Sequence, residues 1–182
     1  MVKVAPVPCS KEEIDKILES AGDNDFYYTL FTVAKTTGRR LGEYYGVKVE
    51  DIDFEKRIMM TNVLKRRAYI KKEAILTEEV AKLLRQYIIR NRLRVGDYVF
   101  RKVSYRQIQH AISQYAKKAG TPHKVSFHNF RHYFVTELVR KGWSYDQISK
   151  LTGHSSPSTL VFYDSSVASD IREKALEALK DL

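Results

Sequence analysis

His128 and Arg131 stand three residues apart in a stretch of helical periodicity, so one helix face presents both to a common anion. Arginine offers a planar fork of N–H donors matched to phosphate oxygens and stays charged at any working pH. Histidine holds or exchanges a proton near neutrality. His132, four residues after His128, gives the pair the spacing of two zinc ligands, but Asn129 stands where the zinc-protease pattern requires glutamate. The sequence therefore predicts no metal here. Two further stretches carry chemistry. One is Thr37-Gly38-Arg39-Arg40-Leu41-Gly42-Glu43, and the other is Leu151-Thr152-Gly153-His154-Ser155, which leads to Tyr163. Tyr163 is one of 12 tyrosines, so only its company singles it out.

Positioning these groups falls mainly to helices. Ser10 and Glu13 form a capping box ahead of Ile14, Ile17 and Leu18 at helical spacing, with Gly22 as a stop. Residues 26–35 read as a buried helix broken at Thr36-Thr37-Gly38, and residues 40–46 restart a short amphipathic one. The period then changes. Residues 52–54, 58–60, 67–70 and 74–76 have strand character and predict a small antiparallel sheet with loops rich in lysine and arginine. Thr77 caps a helix to about residue 92, and further helices follow over 104–120, 126–142 and 144–153. Short helical segments over 158–163 and 169–182 complete the pattern. The fold class is α+β, mainly helical with one small sheet.

The 182 residues carry 32 Lys+Arg against 22 Asp+Glu, a formal charge of +10 that attracts polyanions. The cations are spread along the chain, which predicts a folded basic surface and not a disordered arm. With 43% apolar residues the chain has enough surface to bury a core. No apolar run approaches the roughly 18–20 residues of a membrane span. The lone Cys9 excludes internal disulfides and a Cys-based zinc knuckle. With no secretory leader, these features predict a cytoplasmic protein with no membrane partner. Residues 1–9 read as a lead-in and residues 10–182 as one domain.

Taken in order, Arg40 in Thr-Gly-x-Arg-x-x-Glu, His128-x-x-Arg131, Gly153-His154 and Tyr163 resemble the motifs of the tyrosine recombinases, the phage-integrase-like and Xer-like site-specific DNA recombinases. The resemblance runs from about Ser10 to Ser166, and the ordered set is far more specific than any one piece. Lys65, 25 residues after Arg40, falls where the family places a hairpin lysine. Arg39 replaces a usual hydrophobic residue, Thr152 a usual leucine, and the hairpin lacks the usual glycines, which leaves Lys71 and Lys72 as alternatives to Lys65.

The resemblance implies a reaction and a partner. Tyr163 would attack a scissile phosphate of double-stranded DNA, with Arg40, Arg131 and His154 on the nonbridging oxygens, His128 handling the tyrosine proton and Lys65 protonating the leaving oxygen. Glu43 would be a structural support. No cofactor is expected. Arg39, Arg66, Arg67, Lys71, Lys72 and Arg106 are the candidate DNA-contacting cations. The resemblance further implies a catalytic domain whose N-terminal clamp domain is absent, and a tetramer on DNA for the full-length protein. The rival readings are a type IB topoisomerase and a non-catalytic basic DNA-binding module.

Overall fold

The computed structural model describes residues 9–65 and 68–153, with side chains given outside 63–69. Among the described residues, seven α-helices and three strands follow one another, with a 3-10 turn at Val49–Asp51 before the first strand: α1 (Lys11–Ser20), α2 (Asp25–Thr37), α3 (Leu41–Tyr45), β1 (Ile52–Asp53), β2 (Ile58–Lys65), β3 (Ala68–Ile75), α4 (Glu78–Arg90), α5 (Tyr105–Lys118), α6 (His128–Arg140) and α7 (Tyr145–Thr152). The class is the expected one, helices around a small antiparallel sheet ordered β1-β2-β3. Local signals set most boundaries. Ser10, Ser104 and Ser144 each accept from the third helical N–H while Glu13, Gln107 and Gln147 reach back, so α1, α5 and α7 begin on full capping boxes.

The sheet departs from expectation in length. Four short strand segments were predicted; β2 and β3 instead run eight residues each, paired from Ile58↔Ile75 to Lys65↔Ala68. Thr61, Asn62, Lys71 and Lys72 interrupt the apolar pattern, yet strand pairing continues through them because the ladder hydrogen bonds are made by the backbone whatever the side chain. Arg66 and Arg67 lie outside the described residues, as do His154, Tyr163 and the segments over 158–163 and 169–182.

α2 is the centre of the core. Phe26, Leu30, Phe31, Val33 and Ala34 are buried, and the helix packs against α1, α4 and α6. An aromatic cluster fastens the elements that matter for the site. Phe31 of α2 meets Phe130 of α6 at 5.3 Å between centroids, and Tyr44 of α3 meets Phe127, just ahead of α6, at 5.8 Å. Phe127 and Phe130 bracket His128 in sequence, so burying these rings fixes where the polar residues between and beside them stand.

Gly38 closes α2 in the left-handed region at φ +60°. A Cβ placed there would lie 2.3 Å from Cδ1 of Phe134 on α6, so the glycine lets α2 and α6 approach. Gly38→Ala is expected to lose about 2–4 kcal/mol, from the backbone conformation together with the overpacking. A urea melt checks it; a loss below about 0.5 kcal/mol would show that Phe134 moves aside freely.

Candidate active site

Three side chains singled out by the sequence meet at the head of α6. Arg131 is 1% exposed, and its Nη1 donates to the Gly38 carbonyl at 2.9 Å and to the Thr152 carbonyl at 3.1 Å. One guanidinium thus joins the turn before α3, helix α6 and the last turn of α7. Arg40 sits two residues beyond Gly38, exposed, at the N-terminal cap of α3. Its Nη1 donates to Glu43 Oε1 at 3.1 Å and its backbone N–H to Oε2 at 3.4 Å. Glu43 is itself buried, so a carboxylate fixed by α3 fixes the arginine in turn.

Arg40, Leu41, Tyr105, Gln109, Ser126, Phe127 and His128 line one cleft of about 260 Å³. The N-terminus of α6 opens at this cleft, and its first turn carries no acidic residue. The positive pole of the helix adds to the charge of Arg40, so the cleft favours an anion. Asn129 Oδ1 accepts from the Ser126 N–H at 2.9 Å and the Ser126 hydroxyl at 3.0 Å, which holds the chain at its entry to the helix.

The arginines also decide the state of the histidines. His128 is held below the usual imidazole range by burial first, and then by the charges of Arg131 and Arg40. His132, whose ring packs edge-on to His128 at 4.9 Å, is pushed down to about 4 by burial, His128 and Arg131. Both are neutral at pH 7, which leaves His128 able to accept a proton. Because the folded values lie below the unfolded 6.5, the unfolded chain binds more protons in acid. Stability is then complete above about pH 6.5 and declines as the pH falls toward 4. After allowance for solvent at this half-buried ring, the contribution of His132 is about 1–2 kcal/mol. Urea melts at pH 7 and 4.5 should show a smaller acid loss in His132→Asn than in the wild type; equal losses would place the titration elsewhere.

Arg39 needs a correction. Expected among the DNA-contacting cations, it is 1% exposed, with Nη2 donating to the Glu73 carbonyl of β3. Its neighbour Arg40 is the outward one, because the left-handed Gly38 turns the chain so that position 39 faces the body. That is the position where the family resemblance places a hydrophobic residue. Burial pushes the Arg39 pKa down, the direction expected of a desolvated cation.

Lys71 is exposed and holds Asp51 at 3.0 Å, while Lys72 is half-buried opposite Thr61. Arg106 lies on a different cleft, of about 510 Å³, with Tyr27, Gln107, His110 and Gln114. α5 therefore turns Tyr105 and Gln109 to the anion cleft and Arg106 away from it. Lys65 ends β2 opposite Ala68.

Sequence reasoning missed Tyr44. It is fully buried, donates its hydroxyl to Thr37 Oγ1 at 2.7 Å and accepts the Arg39 N–H at 2.7 Å. Thr37 must be the acceptor because its own hydroxyl proton goes to the Val33 carbonyl. This phenol braces the turn that carries Gly38 and Arg40. Its signal was only its place beside Glu43, one tyrosine among 12.

The same architecture occurs in a solved XerA recombinase, with a TM-score of 0.82, 28% identity and coverage of 96% of this chain and 66% of that one. A XerH recombinase bound to a palindromic difH substrate shares the fold at a TM-score of 0.76 and 22% identity, covering 93% of this chain and 52% of that one. The class is that of the tyrosine recombinases. In sequence, the chain is 28% identical over 183 residues to the tyrosine recombinase XerA of Pyrococcus furiosus, covering 94% of this chain and 61% of that protein. It is 30% identical over 146 residues to the virulence plasmid integrase pGP8-D of Chlamydia trachomatis, covering 76% of this chain and 43% of that protein. The chain belongs to the phage integrase family, whose model matches residues 9–169.

Proposed function

We propose that this chain breaks and rejoins double-stranded DNA at specific sites through a covalent 3′-phosphotyrosyl intermediate on Tyr163. The observation that supports this most is that Arg40 and His128 line one cleft at the head of α6 while the charge of buried Arg131 acts on the same His128. A phosphodiester seated there meets one exposed guanidinium, a second held behind it, and a helix N-terminus. As the phenolic oxygen of Tyr163 bonds to phosphorus, charge grows on the nonbridging oxygens, where Arg40, Arg131 and His154 act. The phenolic proton passes to neutral His128. The P–O5′ bond breaks, and Lys65 supplies the proton that turns the departing 5′-oxygen into a hydroxyl. The tyrosyl phosphodiester conserves the energy of the original bond, so attack by another 5′-hydroxyl reverses the chemistry with neither nucleotide nor metal.

The charge of +10 serves the phosphate backbone, and Arg66, Arg67 and Lys72 are the remaining candidates for contact near the hairpin, with Arg106 on the second cleft. Strand exchange needs two duplexes cut in concert, which calls for a tetramer of the whole protein on DNA. No helix among the described residues is long and apolar enough to cross a membrane.

The test uses nicked suicide duplexes of randomised sequence in the presence of EDTA. An SDS-resistant protein–DNA adduct is expected, and peptide mapping should locate the attached nucleotide on Tyr163. Absence of any adduct, or attachment at another residue, would overturn the proposal.

A further inference from the structure

Away from the residues lining the cleft, three Lewis-basic side chains from two distant parts of the chain converge. Cys9 Sγ, a Glu13 carboxylate oxygen and an imidazole nitrogen of His123 lie within 4.8 Å of one another. No other group of three metal-type ligands comes together among the described residues. Cys9 immediately precedes the Ser10 cap of α1, Glu13 is in its first turn, and His123 lies in the segment between α5 and α6.

We propose that Cys9, Glu13 and His123 form a site for one zinc-class divalent cation. Zinc ligated by sulfur at about 2.3 Å and by imidazole nitrogen at about 2.0 Å, at the tetrahedral angle, sets those two atoms about 3.5 Å apart. Cys9 Sγ and His123 Nε2 stand 3.6 Å apart. Glu13 is also prepared. Its Oε2 accepts the Ser10 N–H at 2.7 Å, which fixes the carboxylate and leaves Oε1 facing the imidazole, 3.5 Å from Nδ1. One ion takes one ring nitrogen, here Nε2, so a Glu13 oxygen must swing over from the Nδ1 side to reach it. The ligand atoms of the three residues already lie within 4.8 Å of one another, and water completes the four positions.

The chemistry of the set selects the ion. A thiolate excludes magnesium and calcium, which take oxygen ligands, and mixed sulfur, nitrogen and oxygen donors suit zinc. Cys9 binds as thiolate and its proton leaves to solvent. Thiolate and carboxylate then balance the two positive charges while the imidazole stays neutral, so a largely buried site carries no net charge. The ion would tie the residues ahead of α1 to those ahead of α6, 114 positions later, and so brace the approach to His128 and Arg131. The sequence patterns for zinc rest on two close pairs, and this set has only one, Cys9 with Glu13, so His123, 114 positions after Cys9, gave no signal.

The test is titration of the metal-stripped protein with cobalt(II), zinc's spectroscopic surrogate. One equivalent should produce a thiolate-to-cobalt charge-transfer band that zinc displaces. Because Cys9 is the only cysteine, the band itself identifies the ligand. Zinc at a hundredfold excess over Kd should raise Tm by about 5–10 °C. Cys9→Ser should abolish the band, and His123→Gln and Glu13→Gln should each weaken binding about tenfold or more, with circular dichroism unchanged. A wild-type protein that shows no sulfur band, or binds cobalt only through His128 and His132, would overturn the site and leave a thiol–imidazole hydrogen bond in its place.

Discussion

Arg131→Ala is expected to slow strand cleavage about 10²–10³-fold and also to destabilise the fold, whereas Arg40→Ala should show the first effect almost alone. The contrast follows from where each guanidinium spends its hydrogen bonds. Arg131 is buried and its Nη1 serves two carbonyls, of Gly38 and Thr152, on separate elements. Removing it leaves a cavity and two acceptors without that donor, a loss of about 2–4 kcal/mol. Arg40 is exposed and its side chain pairs with Glu43, so its loss costs stability about 0–1 kcal/mol. Adduct formation and denaturant melts measured on the same two variants separate the roles. If Arg40→Ala unfolds as readily as Arg131→Ala, or cleaves at the wild-type rate, Arg40 is not part of a phosphate clamp.

The elements around the site were legible for a simple reason: capping and periodicity are local. Ser10, Ser104 and Ser144 announce their helices in the sequence because each satisfies an N–H only three residues away. The pairing of β2 with β3 over eight residues was not legible, because ladder hydrogen bonds do not depend on side-chain type and Lys71-Lys72 reads as a loop. In sequence Arg39 and Arg40 both read as outward cations, Arg39 for the DNA backbone and Arg40 for the scissile phosphate. They differ only through the left-handed turn at Gly38, and that turn is held by contacts at positions 44, 131 and 134. The motif therefore names Arg40, His128 and Arg131, but the turn that aims Arg40 is also held by the phenol of Tyr44 and packed on the ring of Phe134, which the motif does not contain.

The same reasoning ranks the hairpin lysines, where Lys65→Ala is expected to slow cleavage about 10²–10⁴-fold and Lys71→Ala to leave it nearly unchanged. Strand positions alternate between faces, and cross-strand partners share one. Met59 and Thr61 are buried on the body-side face of β2, with Ala74 and Lys72 as their partners. Lys65 and Ala68 fall in that same phase at the end of the hairpin, whereas Lys71 is of the opposite phase and engaged by Asp51. Lys72 shares the phase but lies four pairs from the 65↔68 end, about 13 Å along the ladder. A substrate with sulfur in place of the bridging 5′-oxygen distinguishes a proton donor from a mere phosphate contact. A thiol of pKa about 8.5 leaves without protonation, so this substrate should restore most of the rate lost in Lys65→Ala. Sulfur should give no such rescue to Arg131→Ala, whose loss falls on the nonbridging oxygens. Rescue of Lys72→Ala in place of Lys65→Ala would move the general acid seven residues along the chain, and rescue of neither would remove a lysine from that role.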